Sequence, residues 1–236
     1  MSAAQTLPQR AARSVNHPLT RTLLVLTFTT GLVDGVSYLG LGRVFTANMT
    51  GNIVLLGFGI AGGTGLPVVA PIVSLLAFLV GSGAGGALAA RLSTRHPLHI
   101  AVALGIEVTL ITTAAVFASV VTVQQRRFSA DVVIALLAMA MGVRNATIRK
   151  LAVPDLTTTV LTMTLTGLAA DSKLFGGSGS GSVRRVSAVV AMLLGALCGA
   201  LLLKVSIVLP LFTAAGLALL AAAVYVPFAR RDAPQK

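Results

Sequence analysis

Three charged residues stand inside apolar stretches of the chain: Asp34 in GLVDGV, Glu107 in LGIEVTL and Arg144 in MGVRNA. An ionisable side chain at bilayer depth costs roughly 2.5 kcal/mol or more by insertion scales, so it faces a protein interior or a water-filled cavity and marks a site by default. A buried carboxylate can take up a proton or a cation, with arginine as counter-charge. The bland alternative is a structural ion pair that fixes helix register, and Arg144 could instead reach the headgroups along its aliphatic stem. Two polar breaks accompany these charges. TANMTGN (46–52) carries Asn48, Thr50 and Asn52; after Asn145, DLTTTVLTMTLTG (155–167) carries Thr157, Thr158 and Thr159. Discontinuous helices of secondary transporters bring such hydroxyls, amides and free backbone N–H groups to the midplane, where they meet substrate and ion. One threonine bonded back to its own helix costs little, so the signal lies in the pair of segments.

Other chemistries find little footing. His17, His96 and His99 fall in loops or at a span edge, with no H-x-x-x-H or H-E-x-x-H spacing, and no glycine-rich phosphate loop is present. No enzymatic reaction, cofactor or metal is therefore expected. Asn48-Met49-Thr50 matches a glycosylation acceptor but sits at the start of a membrane segment, and it is discounted. The single cysteine, Cys198, lies in an apolar run and reads as a small buried hydrophobe.

The elements that position these residues must lie in lipid. The chain has 236 residues, 56% hydrophobic and 10% charged, with mean hydropathy +0.93; that much apolar surface does not fit a soluble core. The net charge of +12 comes from Lys and Arg placed mostly at the ends of apolar runs, where they act as topology signals facing anionic lipid rather than as a nucleic-acid footprint. Residues 1–20 read as a disordered cytoplasmic head and 230–236 as a cytoplasmic tail. The apolar stretch after the head is too long for a signal-peptide core and reads as a retained first span.

Full spans are expected at 22–41, 67–91, 98–123, 131–148, 183–204 and 207–228, and shorter polar-started segments at 44–62 and 155–170. The GGSGSGS-bearing loop 171–182 reads as flexible. The fold class is thus an all-α polytopic membrane protein with six transmembrane helices and two broken or re-entrant segments, eight full spans being the alternative. The positive-inside rule favours six, with both termini inside.

The second half also echoes the first, giving repeats over 21–125 and 126–229. Gly31 and Asp34 align with Gly142 and Asn145; Thr46 and Thr50 with Thr158 and Thr162; FLVGSGAGGAL (78–88) with MLLGALCGALL (192–202). The last pair places Gly81 and Gly85 opposite Gly195 and Gly199, glycines one turn apart that let a neighbouring helix approach closely. Packing within the monomer is the expected use; homodimer formation is the alternative.

The blocks GLVDGVSYLGLGRVFTANMTGNIVLLGFGIAG (31–62) and MGVRNATIRKLAVPDLTTTVLTMTLTGLAADS (141–172) resemble the YoaK family of bacterial membrane proteins, over roughly residues 20–230. That resemblance implies a polytopic protein of the bacterial inner membrane and brings no substrate or reaction with it. From the residues themselves, the expected function is a small-solute secondary transporter or permease with proton or cation coupling, built around Asp34, Asn48, Thr50, Asn52, Glu107, Arg144, Asn145 and Thr157–Thr159. Its partners would be the bilayer and the solute, not nucleic acid. The alternative is a non-transporting assembly or sensor module.

Overall fold

The structure, a computed structural model, describes residues 17–93, 96–151 and 161–231. Every long apolar run forms a helix: α1 (Pro18–Val36), α3 (Val69–Arg91), α4 (His96–Val120), α5 (Phe128–Leu151), α7 (Ser182–Leu203) and α8 (Val208–Arg231). Six helices, with α1 counted through Gly42, are long and apolar enough to cross a bilayer. Two shorter ones, α2 (Met49–Ile60) and α6 (Leu161–Ala170), complete the set. At a rise of 1.5 Å per residue these cover about 18 and 15 Å, well short of a hydrocarbon core about 30 Å thick. The architecture among the described residues is therefore six spans and two short helices; α2 is too short to cross, and of the segment expected at 155–170 only Leu161–Ala170 lies within the described residues.

Boundaries move for local reasons. α1 starts at Pro18, inside the stretch read as a disordered head, because proline suits a first helical turn and His17 caps it, its ring nitrogen accepting the Leu19 N–H at 3.2 Å. At its other end α1 widens into a π-helical turn (Ser37–Gly42) and stops where Gly42 takes φ 144° and Arg43 the left-handed region at φ 58°. α2 begins only at Met49, because Asn48 is its N-cap and accepts the Gly51 N–H at 3.2 Å. The loop 171–182 is more structured than its glycines led us to expect: it makes a 3-10 turn at Lys173–Phe175, and the Gly179 N–H donates to the Asp171 carbonyl at 2.8 Å.

α1 and α5 bury most of their length, whereas α3 and α7 lie outside them with most side chains only partly buried or exposed. α1 packs on α7 and α8, α5 on α3 and α4, and α4 on α8; the short helices α2 and α6 lean on α3 and α7 respectively. Glycines set the two closest contacts. A Cβ on Gly195 or Gly199 would strike the backbone of Phe28 or Leu32 in α1, and one on Gly81 or Gly85 the backbone of Met139 or Val143 in α5. Each pair of helices meets backbone to backbone because no side chain intervenes, which is how helices gain packing energy where lipid is as apolar as leucine.

At the start of α7, Arg184 and Arg185 are buried at 7 and 8% exposure. The start of α7 is covered by α6, so Arg185 donates to the Gly167 carbonyl at 2.6 Å and to Asp171 Oδ2 at 2.7 Å.

Candidate functional site

The break between α1 and α2 is a backbone hairpin tied down by side chains from three helices. Asp34, on α1, accepts at Oδ1 from the backbone N–H groups of Thr46 and Ala47, both at 2.9 Å, and from the Thr46 hydroxyl at 3.3 Å. Asn52, on α2, grips Phe45 at two points: its Oδ1 accepts the Phe45 N–H at 2.9 Å and its Nδ2 donates to the Phe45 carbonyl at 2.6 Å. Ser74, on α3, donates to the same carbonyl at 2.7 Å. Asp34, Thr46, Asn52 and Ser74 are all buried. Non-helical backbone survives at membrane depth only where such partners replace the missing helical ones, and here Asp34, Asn52 and Ser74 provide them.

The other oxygen of Asp34 is treated differently. Oδ2 is buried and has no hydrogen-bond partner among the described residues. Asp34 lines a cavity of about 760 Å3 between α1, the start of α2 and the start of α6, where Asn48, Thr50, Thr30 and Thr162 supply polar groups. Two rings lie along it, Tyr38 and Phe45, stacked at 4.9 Å between centroids and 21° between planes. Among the described residues that line it, Asp34 is the only charged one.

Glu107 and Arg144 form a second, separate constellation. Arg144 Nε donates to Glu107 Oε2 at 3.0 Å, and Nη2 donates to Glu107 Oε1 and to the Thr29 hydroxyl at 2.9 Å. Nη1 donates to the Thr30 hydroxyl and the Leu26 carbonyl, each at 2.7 Å. All five guanidinium N–H donors are thus used, with Arg144 at 2% and Glu107 at 0% exposure. This is a saturated pair joining α1, α4 and α5. Arg144 does not reach for headgroups. A space of only about 20 Å3, lined mainly by apolar side chains, adjoins it.

The residues singled out from sequence therefore separate. Asp34, Asn48 and Thr50 meet on the large cavity; Glu107 and Arg144 pair behind it; Asn52 serves the hairpin. Asn145 donates back to the Met141 carbonyl of its own helix at 2.8 Å. Thr157, Thr158 and Thr159 lie outside the described residues. Sequence reasoning missed Thr30 and Tyr38, although both stand four residues from Asp34 on one helix face, a spacing that would have found them. Thr30 touches both constellations: it lines the cavity while accepting from Arg144.

Six apolar spans around a buried polar hairpin and cavity define a polytopic helical integral membrane protein. The chain belongs to the family described as "Protein of unknown function (DUF1275)", which matches residues 22–224. A curated relative, the UPF0700 transmembrane protein YoaK of Bacillus subtilis (strain 168), is 34% identical over 150 residues; the match covers 63% of this chain and 65% of that relative, just under two thirds of its length. No solved structure matches.

Proposed function

We propose that the protein is a small-solute secondary transporter or permease of the bacterial inner membrane, with both termini cytoplasmic and Asp34 at its binding site. The observation that carries this reading is the half-satisfied carboxylate of a residue that lines a metabolite-sized cavity: one Asp34 oxygen anchors the hairpin, while the other is buried with no partner among the described residues. An unpaired buried carboxylate oxygen costs stability, and such strain persists where function uses it.

A two-fold internal repeat supports the same reading. Exchanging α1 with α5, α2 with α6, α3 with α7 and α4 with α8 maps the main packing pairs onto one another, so that α1 on α7 becomes α5 on α3. The close contacts follow in register: Phe28 and Leu32 recur 111 residues later as Met139 and Val143, and Gly81 and Gly85 recur 114 residues later as Gly195 and Gly199. Gly31 against Met192 and Ala196 likewise matches Gly142 against Phe78 and Ser82. Three spans and a short helix in each half give an inverted relationship, the arrangement on which alternating access is built.

The test is flux. In proteoliposomes screened against labelled amines, amino acids, sugars and organic anions, Asp34→Asn and Thr50→Val are expected to abolish the uptake that the parent protein supports, with size-exclusion profiles unchanged. Undiminished uptake by both variants would overturn the reading. The saturated Glu107–Arg144 pair favours the rival, a non-transporting assembly or sensor module, for which Asp34→Asn lowers thermal stability and no solute moves.

A further inference from the structure

We propose that the cavity takes an organic cation of metabolite size, an amine or quaternary ammonium carrying apolar substituents. The inference rests on the reading of Asp34 as a binding group and adds the chemical class of what is bound.

Charge comes first. Among the described residues Asp34 supplies the only formal charge on the cavity wall, and the nearby cation, Arg144, is consumed by Glu107 and by Thr29, Thr30 and Leu26. The local balance of Asp34, Glu107 and Arg144 is one negative charge in excess, on a residue that lines the cavity. A buried carboxylate without a counter-charge attracts a cation strongly, because desolvation has already been imposed and little water screens the pair.

Size and wall chemistry then select among cations. A volume of about 760 Å3 dwarfs a dehydrated metal ion; a water molecule occupies about 30 Å3. A hard cation such as calcium also requires six to eight oxygen ligands, and no group of three His, Cys, Asp or Glu able to hold a metal occurs among the described residues. What lines the cavity along with Asp34 is soft: the stacked rings of Tyr38 and Phe45 and the side chains of Met163 and Met192. Aromatic faces attract poorly hydrated cations, and methionine adapts its shape to varied apolar groups. Tyr38, one turn beyond Asp34, places a ring on the same helix face as the carboxylate. A carboxylate beside such walls recognises a charged nitrogen and its carbon substituents together.

Purified full-length protein in detergent micelles, equilibrated by dialysis against radiolabelled benzyltrimethylammonium, tests this. Saturable binding is expected, weaker by tenfold or more in Asp34→Asn and by threefold or more in Tyr38→Leu, retained in Asp34→Glu, and absent for benzylsulfonate, which has a similar shape and the opposite charge. Should Asp34→Asn fail to fold, Thr50→Trp is expected to weaken binding threefold or more by narrowing the cavity at its exposed lip. Absence of saturable binding to the parent protein, equal binding of both ions, or binding untouched in Asp34→Asn and Thr50→Trp would overturn the inference. Asp34-dependent uptake of a neutral or anionic solute without cation binding overturns the cation alone and leaves transport standing; cation binding without flux in liposomes does the reverse.

Discussion

Removing one partner of the Glu107–Arg144 pair should damage the protein far more than removing both. Glu107→Leu leaves a guanidinium at 2% exposure with Thr29, Thr30 and the Leu26 carbonyl but no negative charge. Breaking a buried pair in this way costs about 3–5 kcal/mol, whereas replacing both partners by apolar groups of similar volume is often neutral. The double variant Glu107→Leu/Arg144→Met has a specific reason to be tolerated. The hydroxyls that accept from Arg144 are already donors, Thr29 to Leu26 at 2.8 Å and Thr30 to Leu26 at 2.9 Å, so they and that carbonyl keep partners when the arginine leaves. At roughly 2–4 °C per kcal/mol for a chain of this size, the single variant should lose about 6–20 °C in apparent Tm. The double variant should stay within a few degrees of the parent. Detergent-solubilised protein followed by size exclusion after heating reads both. A single variant as stable as the parent, or a double variant worse than either single one, refutes the assignment of these residues to holding α1, α4 and α5 together.

Two further outcomes follow from the packing. Gly81→Ala should destabilise by about 1–3 kcal/mol, because its Cβ meets the Met139 backbone, whereas Gly83→Ala, with nothing within 4 Å, should be neutral or slightly stabilising; the same heating assay compares them within one helix. Asn52→Ala should cost about 1–3 kcal/mol by orphaning the Phe45 N–H, while the Phe45 carbonyl keeps Ser74, and hydrogen exchange should rise over residues 43–48 with α4 unchanged.

The spans were legible because apolar length is written directly in the chain: each expected crossing is found within a few residues of its helix. The shortness of α2 was legible for the same reason, since its apolar part begins only at Ile53. What could not be read was which way each polar side chain turns. Asn52 and Thr50 stand two residues apart on α2, yet one is fully buried on the hairpin and the other is exposed at the cavity. Glu107 and Arg144, 37 residues apart in the chain, could be read from sequence either as site groups or as a structural ion pair; it is the placing of α4 against α5 that makes them the pair.

The charge arrangement also bears on where a solute would be held. If the halves are repeats, the position matching Asp34 is Asn145, which is neutral and donates to the Met141 carbonyl of its own helix, and the position matching Arg144 is Val33, which is wholly buried. A repeat of backbone would therefore not extend to these charges. Arg144 enters a saturated pair with Glu107 of the first half that fixes α5 to α1 and α4, while Asp34 keeps one oxygen without a partner among the described residues. The charge of Arg144 is met by Glu107, so on the proposed reading it is Asp34 that a bound cation would meet, and motion on binding would fall to the hairpin that hangs from Asp34 Oδ1.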